Sequence, residues 1–331
     1  MTDRAGGGDA QRAPRVVVVG AGVIGLTCAV RLAEAGYEVG VVARDLPLET
    51  TSAVAAALWY PYYAFPRDRV LAWAKTSYAE FERLASTEPE SGVRMRSGRD
   101  LTRTSATGRP WWAEAVPDLH RLTAGDTCGW QFEAPVVDTS VYLPWLVDRL
   151  EALGGTLSRS ALPALPTNAP IVVNCTGLAA RRMAADESVL PVRGQICVVE
   201  QVGLTEWWLA DGPAGHPIYV IPRLHDIVLG GTVEPGDWET RPREQTGREI
   251  LEATRALVPE LAGARVIRQR VGLRPARSSV RLEPEYVEEG RLVVHCYGHG
   301  GSGITLSWGC ADEVVELVRS EAPAGPPVPP Q

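Results

Sequence analysis

A short glycine-rich stretch near the start of the chain constrains its fold most. Four consecutive valines, Val16 to Val19, have the composition of a strand that is buried on both faces. Gly20, Gly22 and Gly25 follow at the spacing G-x-G-x-x-G, and apolar side chains then recur at helical intervals as far as Gly36. The sequence therefore predicts a buried strand that turns sharply into a helix.

Each glycine of this turn has its own predicted role. Gly20 allows the tight turn, Gly22 lets the backbone approach a pyrophosphate, and Gly25 lets the helix pack closely on the strand. The N–H groups at the start of the helix then face the phosphate charge. A second strand, Glu38 to Ala43, completes a β–α–β unit, so the pattern indicates a dinucleotide site; a glycine-rich turn without a ligand is the alternative. The residues predicted to contact the dinucleotide here are Gly20, Ala21, Gly22, Val23, Ile24 and Gly25.

Composition and charge exclude several classes of protein. The 331 residues are 45% hydrophobic and 22% charged, as in an ordinary globular protein of two packed domains. A net charge of −7 offers no basic surface for nucleic acid. No segment has the pattern of a membrane span or a secretion signal, so we expect no membrane partner. The six cysteines lack C-x-x-C and zinc-ligand spacing, so we expect free thiols, no metal site and a cytoplasmic location.

The order of predicted elements indicates an α/β fold with two domains. A buried strand at Pro170 to Asn174, followed by Cys175-Thr176-Gly177, belongs with the glycine turn. Alternating segments such as Pro217 to Pro222 predict a separate second sheet. The predicted segments are 1–58, 140–193 and 270–321 for the cofactor domain, 59–139 and 194–269 for the substrate domain, and 322–331 for a proline-rich disordered tail.

Helices and irregular regions between these strands are predicted from local patterns. Apolar periodicity predicts a helix over Arg67 to Leu84, and Thr139-Ser140 is predicted to cap another helix that ends near Gly154. The region around Trp111-Trp112 is interrupted by glycine and proline, and we expect it to be irregular.

Two later segments carry features suited to a cofactor site. Arg274 follows a predicted strand and is held by the next residue, Pro275. The run from Val293 to Ala311 predicts a strand, a glycine loop and a second helix start that can face an electron-rich ligand. Two such helix starts suit a flavin better than a nicotinamide, because one can face the pyrophosphate and the other the pyrimidine end of the ring.

Several motifs together resemble the D-amino acid oxidase family of FAD enzymes, from about Arg15 to about Arg319. The run HCYGHGGSGITLSWGCA is close to the signature of that family and departs from it mainly at Cys296. The resemblance implies FAD and a Rossmann-type FAD-binding domain assembled from discontinuous segments, with an inserted antiparallel-sheet substrate domain. The other matching motifs are GAGVIG, Val54 to Trp59, Asn174 to Gly177, Arg193-Gly194-Gln195 and Gly272 to Pro275.

The resemblance also implies a set of site residues. Arg274 matches the arginine that binds the substrate carboxylate, and Tyr219 matches a tyrosine that donates to the same group. The carbonyl of Gly301 matches the acceptor for the substrate amine, and Tyr60 is expected in the pocket wall. The remaining cofactor contacts expected are Arg44, Asp45, Thr50, Thr51, Ser52, Ala56, Ala57, Leu58, Thr176, Gly177, Arg274, Gly300, Gly301, Gly303, Ile304 and Thr305.

The implied reaction requires no catalytic acid or base. The α-hydrogen of a D-amino acid leaves as a hydride to the flavin, oxygen reoxidises the flavin, and the products are a 2-oxo acid, ammonia and hydrogen peroxide. His295 and His299 are therefore expected to serve packing or loop hydrogen bonds. The expected partners are a D-amino acid, with neutral side chains favoured, and oxygen; a homodimer is left open.

The sequence departs from the family at three places, and three alternative functions remain open. The segment before Tyr219 is shorter than the lid of the animal enzymes and has Gly215 in place of its tyrosine, and Tyr60 replaces a glutamine. The acidic residue that the family carries at the end of the second strand is offset here, with Arg44 in that position and Asp45 after it, so either of them could contact the adenosine. A D-aspartate oxidase would need a further cation for the second carboxylate of its substrate. A glycine or sarcosine oxidase would need a crowded pocket. A non-enzymatic flavoprotein would not need an arginine for a substrate. The cations considered for D-aspartate are His216, Arg223 and Arg277.

Overall fold

A computed structural model describes residues 14–102, 108–124 and 127–321. The predicted tail, 322–331, lies outside the described residues. The strands are β1 (Arg15–Val19), β2 (Glu38–Ala43), β3 (Val93–Leu101), β4 (His120–Ala124), β5 (Thr127–Val137), β6 (Thr156–Arg159), β7 (Ile171–Asn174), β8 (Leu190–Glu200), β9 (Trp207–Asp211), β10 (Pro217–Pro222), β11 (Asp226–Gly230), β12 (Glu234–Pro235), β13 (Val266–Val287) and β14 (Arg291–His299). The α-helices are α1 (Val23–Glu34), α2 (Arg67–Thr87), α3 (Thr139–Ala152), α4 (Ala180–Met183), α5 (Glu244–Leu257) and α6 (Gly303–Glu321).

The cofactor half of the fold is a parallel sheet in the order β14-β7-β1-β2-β6. Its central strand β1 is buried on both faces, as its four valines predict. Val16 and Val18 face a core that contains helices α1, α2, α3 and α6, whereas Val17 and Val19 pack against a separate apolar cluster that includes Leu162. This arrangement matches the predicted α/β, Rossmann-type class.

The second half is mostly antiparallel. The sequence predicts that it forms a separate sheet, but its strands continue the sheet of the first half. Strand β13 is 22 residues long and pairs first with β8, where Val271 lies opposite Gln195. It then pairs with β14, where Glu283 lies opposite His295. One strand thus belongs to both halves and joins them into a continuous sheet of 14 strands. The pairing depends on contacts distant in sequence, which local alternation does not report.

The described region around Trp111-Trp112 is irregular, as the sequence predicts, and strands β3, β4 and β5, which the sequence did not predict, lie before and after it. Trp112 itself lies beside a short 3₁₀ turn. The alternation in β3 is weak, because most of its side chains are only partly buried. Its position depends instead on Gly98, where an added Cβ would lie 2.1 Å from the ring of Trp207. That contact comes from a strand more than 100 residues away.

Most predicted helices agree with the structure, with one correction at a cap. Asp138, not Thr139 or Ser140, is the N-cap of α3, and its carboxylate accepts a hydrogen bond from Ser140 N. Helix α6 packs closely against α2, since a Cβ at Gly309 would lie 2.4 Å from Trp73 Cα. Within the described residues, none of the helices combines the length and apolar character needed to cross a membrane.

Candidate functional site

One cavity of about 1460 Å³ joins the two halves of the protein. It begins at the carboxyl ends of β1, β2 and β7 and reaches across to β8, β10 and β13. The predicted cofactor contacts on its wall are Gly20, Ala21, Gly22, Val23, Ile24, Gly25, Arg44, Asp45, Thr50, Thr51, Ser52, Ala56, Ala57, Leu58, Thr176, Gly177, Gly300, Gly303 and Ile304. The predicted substrate contacts on the same wall are Tyr60, Tyr219, Arg274 and Gly301.

The glycine turn has the geometry that its sequence predicts at two positions. Gly20 has a φ of +116°, and a Cβ there would lie 2.4 Å from the carbonyl oxygen of Cys175. A Cβ at Gly25 would lie 1.9 Å from the carbonyl oxygen of Gly20. No side chain can therefore replace either glycine without moving the turn. The Ser52 hydroxyl accepts a hydrogen bond from Val23 N at 3.0 Å and satisfies one N–H at the start of α1.

The starts of α1 and α6 meet at this cavity. An added Cβ at Gly303, the first residue of α6, would lie 3.6 Å from a methyl carbon of Val23 in the first turn of α1. Helix starts carry free N–H groups and partial positive charge. Two of them on one wall, beside a turn that excludes side chains, fit a dinucleotide with an electron-rich ring, so the residues present fit FAD.

Arg44 and Asp45 at the end of β2 bind each other. Arg44 Nε donates to Asp45 Oδ1 at 2.9 Å, and Arg44 Nη2 donates to Asp45 Oδ2 at 2.5 Å. The hydrogen bond from Arg44 lowers the pKa of the Asp45 carboxyl. Both residues line the cavity, so the carboxylate expected at the end of the second strand is present one residue late and is held in place by its neighbour.

Thr305 is the one predicted contact that is absent from the described wall of the cavity. Its hydroxyl accepts from Tyr60 N and donates to Tyr60 O, both at 3.0 Å. Ser302 binds Tyr62 in the same way, accepting from its N–H at 2.9 Å and donating to its carbonyl at 2.7 Å. The two hydroxyls fix the segment 60–62 to the start of α6, so Thr305 positions the pocket wall rather than forming it.

Arg274 lines the cavity beside Gly194 and Gly301. Its Nη1 donates to the carbonyl of Thr232 at 3.0 Å. A Cβ at Gly194 would lie 2.3 to 2.5 Å from Nη1, Nη2 and Cζ, so the guanidinium lies face-on over that glycine. A Cβ at Gly301 would lie 3.5 Å from Arg274 Cδ. The strand glycine thus makes room for the planar cation.

Tyr219 adjoins Arg274 and packs on two glycines of its own. A Cβ at Gly230 would lie 1.9 Å from Tyr219 Cζ, and one at Gly231 would lie 2.5 Å from its hydroxyl. Burial raises the pKa of the Tyr219 phenol, while the charge and a hydrogen bond from Arg274 oppose the rise. The phenol is therefore neutral at pH 7 and can donate its proton to an anion that Arg274 attracts.

Tyr62 is a pocket residue that the sequence alone did not single out. Its ring lies beside Gly301, where a Cβ would be 3.1 Å from Tyr62 Cδ1, and the charge of Arg274 acts on its hydroxyl. Burial raises the pKa of this phenol to about 12. The three tyrosines within Tyr60 to Tyr63 were the signal that could have identified it.

Tyr60 lines the cavity with its ring and turns its hydroxyl elsewhere. The hydroxyl donates to Asp100 Oδ2 at 2.8 Å, and Asp100 is fully buried. Trp112 packs edge-on against the Tyr60 ring at 5.3 Å. This part of the wall is therefore aromatic and fixed.

His295 and the extra cations considered for D-aspartate bind other groups and are absent from the described wall of the cavity. His295 lies between Asn174 and Glu285, at 3.1 and 2.8 Å, and burial lowers its pKa. His299 is buried and lines the cavity. His216 Nδ1 accepts from Val233 N, Arg223 binds Asp226, and Arg277 binds Asp186. His216, Arg223 and Arg277 are all absent from the described wall of the cavity.

The sequence is similar to the sequences of several known proteins. The chain is 50% identical over 312 residues to a D-amino-acid oxidase of Rubrobacter xylanophilus, covering 92% of this chain and 95% of that protein. It is 45% identical over 314 residues to a D-amino-acid oxidase of Streptomyces coelicolor, covering 93% of this chain and 98% of that protein. A human D-aspartate oxidase is 36% identical over 324 residues, covering 92% and 94%.

A solved structure shows the same fold at lower sequence identity. A glycine oxidase from Geobacillus kaustophilus superposes with a TM-score of 0.79 at 20% identity and covers 95% of this chain and 97% of that chain. The family model described as DAO, FAD dependent oxidoreductase, matches residues 15–317. The chain therefore belongs to the DAO family of FAD-dependent oxidoreductases.

Proposed function

We propose that this protein oxidises D-amino acids to 2-oxo acids and ammonia, with oxygen reduced to hydrogen peroxide. The observation that carries the proposal is the pairing of Arg274 with Tyr219 in the same cavity as the glycine turn. A protein that only stored a flavin would not need a cation and a neutral phenol at the far end of the cofactor cavity. The similarity to two D-amino-acid oxidases supports the same reaction.

The substrate is held through its carboxylate and amine. The Arg274 guanidinium binds the carboxylate with parallel hydrogen bonds, and the Tyr219 hydroxyl donates to the same group. The carbonyl of Gly301, next to the Arg274 side chain, accepts from the amine. The rings of Tyr60 and Tyr62 form an apolar wall that limits access of water. With both ends of the amino acid fixed, the orientation of the α-hydrogen is fixed as well.

The cofactor site is assigned to the parallel half of the sheet. Bound FAD supplies the two-electron oxidation of the amino acid and passes the electrons to oxygen. We propose the glycine turn, the 50–58 loop and the start of α6 as the residues that hold it. The segments 1–58, 140–193 and 270–321 then form the cofactor domain, and 59–139 with 194–269 the substrate domain. The burial and pairing of His295 support a role in packing rather than in proton transfer.

We infer that neutral side chains are favoured over acidic ones. His216, Arg223 and Arg277 already bind other groups away from the cavity wall. The wall beside Arg274 is formed by the uncharged rings of Tyr62 and Tyr219. A second carboxylate placed against these rings would lose hydration without gaining a partner.

Two other arginines on the cavity wall make D-aspartate the second candidate substrate. Arg67 and Arg109 both line the cavity. Arg67 lies over the ring of Trp111, with its Cζ 5.5 Å from the ring centroid. A D-aspartate oxidase could direct either of these guanidinium groups toward the side chain of its substrate. The human D-aspartate oxidase among the relatives supports keeping this candidate.

A peroxide assay with D-alanine, L-alanine, D-aspartate, glycine and sarcosine tests both points. We expect kcat/KM for D-alanine to exceed that for D-aspartate by about 100-fold, the effect of an unpaired charge in the pocket. Equal or faster turnover of D-aspartate would make the protein a D-aspartate oxidase. Faster turnover of glycine or sarcosine than of D-alanine would favour a glycine or sarcosine oxidase. If none of the five compounds yields peroxide, a non-enzymatic role is favoured.

Location is a further proposal, and assembly is open to direct measurement. All six cysteines are free thiols, which supports a reducing compartment such as the cytoplasm. Light scattering of the purified protein tests whether it forms a homodimer.

A further inference from the structure

Four buried cysteines meet beneath the cofactor cavity. They come from different elements: Cys28 from α1, Cys175 from the end of β7, Cys296 from β14 and Cys310 from α6. The sulfur atoms of Cys28, Cys175 and Cys296 lie within 4.8 Å of one another. The spacing of these residues in the sequence gives no hint of this cluster, and the oxidation reaction does not use it.

Cys175 and Cys296 are the pair that the sheet places side by side. Strands β7 and β14 run parallel, with Asn174 opposite His295, so the next residues are also neighbours. Val173 and Val294 belong to the same apolar core as the two cysteines, which shows that both thiols point to the same face. Adjacent strands are about 4.8 Å apart, and disulfides join Cα atoms about 4.4 to 6.8 Å apart.

The same two residues border the cavity, where Cys175 is 9% exposed and Cys296 is fully buried. Cys175 and Cys296 belong to its described wall, whereas Cys28 and Cys310 do not. A hydrogen bond from Cys175, with others from Cys28 and Cys310, lowers the pKa of Cys296, although burial acts in the opposite direction. Thiolate is the form of cysteine that reacts with peroxide. Within the pair, Cys296 thus has the greater thiolate character and Cys175 the greater exposure to the cavity.

We propose that Cys175 and Cys296 are a peroxide-sensitive dithiol that bound FAD protects. When the cavity holds no FAD, the sulfur of Cys296 attacks hydrogen peroxide: an S–O bond forms, the O–O bond breaks, and one water leaves. The Cys175 thiol then attacks the oxidised sulfur, an S–S bond forms, and the sulfenic oxygen leaves as a second water. Two thiols are oxidised by two electrons and one peroxide is reduced to two waters.

The disulfide would prevent FAD from binding again. Two sulfur atoms as far as 4.8 Å apart must close to bonding distance, and Cys175 moves with them. Its carbonyl packs directly on Gly20, where a Cβ would be only 2.4 Å away, and Thr176 follows it on the cavity wall. Movement of Cys175 therefore distorts the turn that receives the pyrophosphate. Peroxide therefore prevents molecules that have lost FAD from binding it again, and a reductant restores their capacity to bind it.

Peptide mass spectrometry after differential alkylation tests this directly. The full-length protein is titrated with FAD from low to full occupancy, exposed to added hydrogen peroxide without substrate, alkylated and digested. We expect a linked Cys175–Cys296 peptide whose yield falls as FAD occupancy rises, loss of FAD binding in the oxidised fraction, and recovery with dithiothreitol. Because peroxide is added, the result is independent of the proposed D-amino acid oxidation, which only supplies a natural source of it.

Controls make the result decisive. Met183 lines the same cavity, so its oxidation to the sulfoxide shows that peroxide has entered. Cys175→Ser should abolish the linked peptide, and Cys197→Ser, in a different apolar cluster, should leave it unchanged. The proposal fails if both thiols stay reduced in wild-type protein while Met183 is oxidised, or if FAD gives no protection. These wild-type measurements hold even if the Cys175 variant does not fold.

Discussion

The guanidinium of Arg274 lies face-on over Gly194, where a Cβ would be 2.3 Å from Nη1. Gly194 belongs to β8 and Arg274 to β13, and the two strands pair at this point, with Gly194 opposite Gly272. The position of the proposed substrate-binding cation therefore depends on a glycine in the neighbouring strand. It also explains why Arg193-Gly194-Gln195 and Gly272 to Pro275 occur together in this chain.

Replacing Gly194 by alanine should weaken substrate binding without unfolding the protein. The new methyl group meets the end of a flexible side chain, so Arg274 moves and the backbone stays in place. We expect KM for D-alanine to rise about tenfold, as for the loss of one charged hydrogen bond. Steady-state kinetics and thermal unfolding measure the two effects. Gly263→Ala, where the Cβ meets nothing within 4 Å, is the matched control.

Removing the guanidinium itself should have a larger effect. Arg274→Ala leaves the carboxylate without its cation, so we expect kcat/KM to fall about 10³-fold, or about 4 kcal/mol. The protein should still bind FAD and remain yellow. Arg268→Ala removes an exposed arginine from the same strand and should change kcat/KM little. Near-normal kinetics in Arg274→Ala would contradict the assignment of the carboxylate site.

The pocket phenols should stay protonated throughout the ordinary pH range of an assay. Burial raises the pKa of Tyr62 to about 12 and that of Tyr219 above its ordinary value of 10.0. A phenol donates until the pH passes its pKa, so ionisation of Tyr219 should not raise KM below pH 10. The profiles of KM against pH for wild type and Tyr219→Phe should therefore be parallel. A rise below pH 10 in wild type alone would contradict this.

Asp186 should contribute stability that acid removes. Burial opposes its ionisation, but hydrogen bonds from Ser188, Tyr297 and Arg277 outweigh that effect and lower its pKa from 3.8 to about 2. Its stabilisation is therefore complete above the unfolded pKa and is lost as the pH falls through the folded one. Asp186→Asn should cost about 2 kcal/mol at neutral pH, and the difference should shrink below about pH 4.

Urea unfolding with excess FAD, at several pH values, measures this difference. Glu252→Gln, an exposed position on α5, should change the free energy of unfolding little at any pH. A loss in Asp186→Asn that is the same at pH 3 as at pH 7 would show that packing, and not the carboxylate charge, is responsible.

The sequence predicted best those features that local chemistry determines. The valine strand and the helix that begins within the glycine turn depend on neighbouring residues, and the structure agrees there. The continuous sheet depends on the long-range pairing of β13, and β3 depends on Trp207 packing against Gly98. No local periodicity reports either contact.

The predictions for the site divide in the same way, between features set by local motifs and features set by contacts that only the fold creates. The motif residues lie along one cavity, but motif matching could not distinguish a wall residue from one behind it. Thr305 binds the backbone of Tyr60 behind the wall. Tyr62, which belongs to none of the matched motifs, lies close enough to Arg274 for that charge to act on its phenol. Only the fold determines which way such side chains point.

Anaerobic mixing of the purified holoenzyme with single amino acids tests the proposed reaction most directly. Flavin absorbance is followed while D-alanine, L-alanine, D-aspartate, glycine or sarcosine is added in the absence of oxygen. We predict that D-alanine bleaches the flavin rapidly, that L-alanine leaves it oxidised, and that admitting oxygen restores the colour with release of peroxide. A flavin that stays oxidised with every D-amino acid, or that L-alanine bleaches equally well, would contradict the proposed function.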